Sequence, residues 1–147
     1  MSLKAQIQDD MKSAMRNKET ARLSTIRLLL AEMKQKEVDE RKELTDEEVI
    51  AIVTKMVKQR HDSADIYIKA NRQDMADTEL AEIAVLKTYL PEALSEEKVL
   101  ELVQEAIAQT GAQSIKDMSK VMAVLRPQLI GRADMGKVSG FIKSALQ

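Results

Sequence analysis

SIKDMSKVMAVLRPQLIGRADMGKVSGFIKSAL, residues 114–146, is the stretch from which the rest of the chain is read. It carries apolar residues at helical spacing twice over. Met118, Val121, Met122 and Leu125 form one stripe, and Val138, Phe141, Ile142 and Leu146 form another. Between them Pro127 and Gly131 predict a break, with a turn over 128–132, and Asp134 stands where an N-cap belongs. Three of the four glycines of the chain are here: Gly131, Gly136 and Gly140. From residue 114 to the end, six basic residues (Lys116, Lys120, Arg126, Arg132, Lys137, Lys143) stand against two acids, Asp117 and Asp134. The whole chain has a formal net charge of −1, so this excess is local. The stretch predicts a basic two-helix unit with a sharp turn in its middle.

Upstream, Ser95 followed by Glu96 and Glu97 marks a helix start, and Gly111 marks its end. Val99, Leu100, Val103 and Ile107 are its inward face, and Ser114 is placed to cap the next helix. Residues 95–147 are therefore expected to form a small three-helix domain. Pro91 cannot continue a helix and restricts Leu90 before it. Tyr89, Leu90 and Pro91 are read as a short apolar interdomain hinge, which makes 1–90 the other domain.

Four helices are expected in that first part. One runs from Ser2 to about Asn17 with Leu3, Ile7, Met11 and Met15 as its stripe. The next starts near Glu19 and Thr20, carries Leu23, Ile26, Leu29, Leu30 and Met33, and passes into a charged run over 34–43. That run reads as a solvated helix end or a flexible connection. Thr45-Asp-Glu-Glu48 is a capping box, opening a third helix to about Arg72. Its face is Val49, Ile52, Val53, Met56 and Val57, continued by Ala64 and Ile68. The fourth runs from near Asp74 to near Tyr89 with Met75, Leu80, Ile83, Leu86 and Leu90. No segment alternates with period two, so the fold class is all-α: an N-terminal antiparallel helical bundle and a small C-terminal three-helix domain.

Composition bounds the chemistry. The 147 residues are 44% hydrophobic and 32% charged, with only three aromatics, Tyr67, Tyr89 and Phe141. The core must be aliphatic and methionine-rich, as in a helical bundle. The absence of cysteine excludes disulfides and thiol chemistry and fits a reducing compartment. No apolar run reaches the roughly 20 residues needed to span a bilayer. The start, Met-Ser-Leu-Lys-Ala-Gln, lacks an apolar signal region, so a cytoplasmic location with no membrane contact is expected.

No catalytic set, cofactor site or metal site can be assembled. The single histidine, His61, has no second histidine to help it hold a metal. Glu79 and Glu82 lie one turn apart but lack the Glu-x-x-His partners of a di-iron site, and pairing with Arg60 or Arg72 is expected instead. There is no nucleophile elbow and no phosphate loop. Lys116, Lys120, Arg126, Arg132, Lys137 and Lys143 are the candidate RNA-binding residues, with free amides at the last helix's N-terminus adding to them. An ordinary solvated basic face accounts for the same residues.

Asp117-Met-Ser-Lys-Val-Met122, Leu125-Arg-Pro127, Gly131-Arg-Ala-Asp134 and the positions Val138, Ile142 and Leu146 resemble the tail of the YqeY family. That tail is shared with the C-terminus of GatB, the tRNA-binding subunit of the glutamine-dependent amidotransferase acting on Glu-tRNA(Gln). The rest of the chain is similar to the family too, through Leu23-Ser-Thr-Ile-Arg27, Lys58-Gln-Arg-His-Asp-Ser63, Ala70-Asn-Arg72, Glu79, Glu82 and Tyr89-Leu-Pro91. Ser119 and Asn71 stand where the family commonly has glycine. The resemblance implies a two-part helical fold with a tail comparable to a tRNA-contacting segment. It transfers no catalytic residues, so the family's label of carbon–nitrogen ligase with glutamine as amido donor is read as inherited from the shared tail. The expectation is a non-catalytic module that binds tRNA or a tRNA-handling enzyme. A protein–protein adaptor without RNA contact is the alternative, with an amidotransferase-linked enzyme ranked below both.

Overall fold

The computed structural model describes residues 2–147, and the fold is all-α among them. Seven α-helices follow in order: α1 Leu3–Arg16, α2 Thr20–Glu40, α3 Asp46–Lys69, α4 Gln73–Lys87, α5 Glu96–Thr110, α6 Met118–Leu129 and α7 Met135–Leu146, with a 3-10 turn at Ile115–Asp117 before α6. The chain divides into two compact units, Met1–Leu90 and Pro91–Gln147.

In the first unit local chemistry sets the helix starts. Ser2 caps α1, its hydroxyl accepting from the Ala5 amide at 3.1 Å. At α3 the Thr45 hydroxyl accepts from the Glu48 amide at 3.2 Å, and Glu48 Oε1 accepts from the Thr45 amide at 3.1 Å, so both orphan donors are satisfied. Lys42 adds an ion pair to Glu48 at 2.8 Å. The Lys42 ammonium, then the Thr45 amide, hold the Glu48 carboxyl down to about 2. Helix ends are different. Lys18, Arg41 and Asn71 take left-handed backbone (φ 56, 54 and 61) after α1, α2 and α3. A Cβ makes that conformation costly, and Asn tolerates it best of the three. This explains why glycine suits position 71.

Ile7, Ile26, Leu29, Met33, Val49, Val53 and Leu86 fill this core and are essentially inaccessible. Burying each is worth about 1.5–3 kcal/mol. Antiparallel pairing is visible in the ties. Lys4 near the start of α1 bonds Glu37 near the end of α2 at 2.9 Å, and Arg60 of α3 bonds Glu82 of α4 at 2.7 Å. Glu79 is half-buried, and Arg72 pairs with Asp74 rather than with α4's glutamates.

Several expected faces are corrected. Met15 is half exposed, and Ala14 is buried in its place. A four-residue repeat drifts by about 40° per step around a 3.6-residue helix, so Met15 lies about 80° off Ile7 while Ala14 lies about 20° off it. Met75 and Leu80 likewise point outward, with Ala76 buried, and Ile68 and Leu100 are also exposed. The charged run continues α2 as helix to Glu40.

In the second unit Val99, Val103, Ala106, Val121, Leu125, Leu129, Val138, Ile142 and Leu146 form one cluster among three helices. Pro127 does not break α6, which runs two residues further to Leu129. The bond that the proline forfeits would have gone to the carbonyl of Ala123, an exposed residue where water can serve it. Continuing the helix brings Leu129 into register with Val121 and Leu125, all three fully buried. Ser114 makes no capping bond; the 3-10 turn intervenes, and Asp117 accepts the Gln113 amide at 3.0 Å.

Candidate nucleic-acid interface

The second unit is held by its turns. Ser95 caps α5 through the Lys98 amide at 3.2 Å, and Gly111 ends it with φ 68. Gly131, at φ 76, opens the turn between α6 and α7. Asp134 then caps α7, its Oδ1 accepting from Gly136 at 2.8 Å and Lys137 at 3.4 Å. A Cβ at position 136 would meet that carboxylate oxygen at 3.1 Å, so glycine leaves the cap room. The expectation of free amides at this helix start is thereby corrected: two of them belong to Asp134.

Arg132 is a strut. Its carbonyl accepts from the Leu94 amide at 2.9 Å, and its Nε donates to the Glu92 carbonyl at 3.3 Å. It thus ties the segment before α5 to the α6–α7 turn. Beside it lies an open groove of about 260 Å³, lined among others by Glu96, Arg132, Asp134, Lys137 and Phe141. Two cations and two anions share this groove, so it has no single sign.

The remaining cations spread around the unit. Lys120 lies 3.7 Å from Asp117, whose carboxyl is held low first by the Gln113 amide and then by Lys120. Lys116, Arg126, Lys137 and Lys143 are exposed and have no carboxylate partner among the described residues. Six residues along a helix amount to a rotation of about 120° between side chains. Lys120 and Arg126 are therefore on different faces of α6, and Lys137 and Lys143 flank the buried stripe of α7 on opposite sides. The structure groups Arg132 with Lys137 at the groove and sets Arg126 on a different face from Lys120, and Lys143 on a different face from Lys137.

Charge is nevertheless segregated by helix. Residues 91–105 carry Glu92, Glu96, Glu97, Glu101 and Glu105 against Lys98 alone, while the segment from residue 114 carries the six cations and two acids. Because α5, α6 and α7 share one core, their outer faces point away from one another.

In the first unit Tyr89 is buried and its phenol donates to Asp10 Oδ2 at 2.7 Å, and Leu90 packs on the same core; Pro91, which begins the second unit, is exposed. Burial, then the Asp10 carboxylate, pushes the phenol well above its ordinary value. Arg22 Nη2 approaches the same carboxylate at 3.9 Å while Nη1 bonds Glu19 at 2.8 Å. Sequence reading misses this network, because nothing local marks Asp10 or Arg22. His61 is exposed, and no group of three metal-ligating side chains occurs among the described residues.

The family description "Yqey-like protein" matches residues 4–146, almost the whole chain. The chain belongs to the YqeY family. This YqeY chain is similar to proteins named "Altered inheritance of mitochondria protein 41, mitochondrial" from several fungi. The one from Lachancea thermotolerans is 34% identical over 123 residues, covering 79% of this chain and 66% of the relative. That from Vanderwaltozyma polyspora is 35% identical, with 78% and 66% covered, and that from Kluyveromyces lactis 36%, with 68% and 56% covered. The matched region thus spans about two thirds or less of these relatives. Their name corrects the cytoplasmic expectation: the named relatives of this YqeY chain are mitochondrial proteins. No helix among the described residues is long and apolar enough to cross a membrane.

Proposed function

We propose that the C-terminal unit of this YqeY chain binds the phosphate backbone of a folded RNA, with tRNA as the class to which the shared tail points. The observation that supports this reading is the segregation of charge, with cations gathered on the segment from residue 114 and most of them unpaired. Lys116, Arg126, Lys137 and Lys143 would contact phosphates directly. Lys120 would exchange Asp117 for one, and Arg132 would offer only the guanidinium nitrogens not bonded to Glu92. Phe141, the unit's one aromatic, is half-buried, so it offers no stacking platform and shape and backbone contacts dominate.

Fluorescence anisotropy with labelled tRNA tests this. Four phosphate contacts predict an affinity loss of about a hundredfold between about 50 and 200 mM salt. The variant R126E/K137E/K143E should lose binding while keeping its helical circular dichroism. Salt-insensitive binding, or full affinity in the triple variant, overturns the reading.

A second reading, the protein-docking adaptor, rests on Ile66, Ile68, Met75 and Leu80, each more than a third exposed around the α3–α4 turn. It predicts no tRNA binding at any salt concentration.

A further inference from the structure

Where α1, α2 and α4 meet, an open cavity of about 340 Å³ is lined by Gln6, Asp10, Arg22, Ala84, Val85 and Thr88. It lies wholly within the first unit and does not depend on the RNA reading. Its polar groups are half used. Asp10 Oδ2 takes the Tyr89 phenol at 2.7 Å, but Oδ1 accepts nothing among the described residues. Arg22 Nη1 is held by Glu19 at 2.8 Å, while Nη2 stands 3.9 Å from Asp10, too far for a hydrogen bond. The Gln6 side-chain carboxamide makes no bond to another described side chain or backbone group, and Thr88, having donated to the Val85 carbonyl at 2.7 Å, keeps its lone pairs. Ala84 and Val85 supply an apolar wall.

We propose that this corner binds a free α-amino acid, its ammonium group on Asp10 and its carboxylate on Arg22. Asp10 and Arg22 are opposite charges that approach to 3.9 Å, and a third charge, the Glu19 carboxylate, takes the Nη1 side of the guanidinium and leaves its Nη2 side toward Asp10. Asp10 is anchored by a buried phenol and Arg22 by Glu19. A lone anion at Arg22 would face the Asp10 carboxylate, and a lone cation at Asp10 would face the guanidinium. A zwitterion avoids both penalties. Its own ammonium and carboxylate are roughly 3 Å apart, set by the N–Cα–C geometry, short enough to reach Asp10 and the Nη2 side of Arg22 together across a pair that approaches to 3.9 Å. Thr88, its proton committed to Val85, can accept an ammonium hydrogen, and the Gln6 carboxamide can donate to the carboxylate. The ligand side chain would lie along Ala84 and Val85, and the volume lies within the range of small-ligand pockets.

Calorimetry and thermal shift on the full chain test this with three probes: a panel of free amino acids, the same compounds N-acetylated, and the same compounds as methyl esters. At least one free amino acid should bind saturably below about 10 mM and raise the melting temperature, as a ligand of the folded state must. Both blocked forms should bind at least tenfold more weakly. Asp10→Asn and Arg22→Gln should each lose at least tenfold. Ala84→Leu, at an exposed position on the rim, should fill the cavity and abolish binding without touching the Tyr89 bond. Failure of every free amino acid to bind overturns the proposal, as does equal binding of a blocked form or unaltered affinity in the folded Ala84→Leu variant.

Discussion

The Tyr89 phenol donates to Asp10 Oδ2 at 2.7 Å across 79 positions of sequence, joining the last buried side chain of the first unit to the middle of α1. Tyr89→Phe removes the donor and leaves a half-buried carboxylate short of one bond. Urea unfolding at neutral pH should show a loss of about 1.5–3 kcal/mol, the range for bonds to charged groups. The phenol's folded value lies above its ordinary 10.0. Its contribution is therefore complete below that pH and fades as the pH rises beyond it. Tyr89→Phe should flatten this alkaline loss, and an unchanged alkaline limb would count against the bond.

The capping box of α3 gives an acid-side counterpart. Thr45→Ala should cost about 1 kcal/mol by removing the acceptor for the Glu48 amide. The Glu48 carboxyl is lowered from 4.5 to about 2. Its contribution is complete above 4.5 and is lost as the pH falls toward 2. Glu48→Gln should weaken the fold at neutral pH and reduce the pH dependence of stability across that window, read by circular dichroism melts.

Left-handed caps without glycine offer a gain in stability. Arg41→Gly, at φ 54, should stabilise by about 0.5–1 kcal/mol, since relief of the Cβ clash exceeds the added freedom of the unfolded chain. Asn71→Gly, at φ 61, should gain less, because asparagine already tolerates that region. The order of the two melting temperatures is the measurement, and the reverse order would contradict the assignment.

Leu129 tests the continuation of α6 past Pro127. It is fully buried, so Leu129→Ala should cost about 2–5 kcal/mol. Leu80→Ala, at a position 41% exposed, should stay within about 0.5 kcal/mol. Denaturant titration of both variants would expose a helix that ended at the proline, because Leu129 would then matter little.

What the sequence made legible was local chemistry. Ser2, Thr45, Ser95, Gly111 and Asp134 all act as caps, because a cap depends on residues within one turn of it. Seven helices follow from those caps and from apolar spacing. What escaped reading depends on the neighbouring helix. Whether Met15 or Ala14 faces inward, whether Leu80 or Ala76 does, and whether α6 stops at Pro127 are settled by what lies opposite. The basic residues of the tail were legible as a set, but their angular spread around α6 and α7 was not. The Asp10–Tyr89–Arg22 corner had no sequence signal at all, being assembled from α1, α2 and the turn after α4.

The charge segregation of the second unit has a physical consequence of its own. Residues 91–147 contain seven basic and seven acidic side chains, so the unit has no net side-chain charge. Its leading electrical property is a dipole moment, running from the outer face of α5 toward the segment after residue 114. In the field of a polyanion a neutral dipole is turned before it is pulled. Salt screens torque and pull alike, so at physiological ionic strength such a unit would be turned, glutamates outward, only within about a Debye length, about 8 Å, of a charged surface.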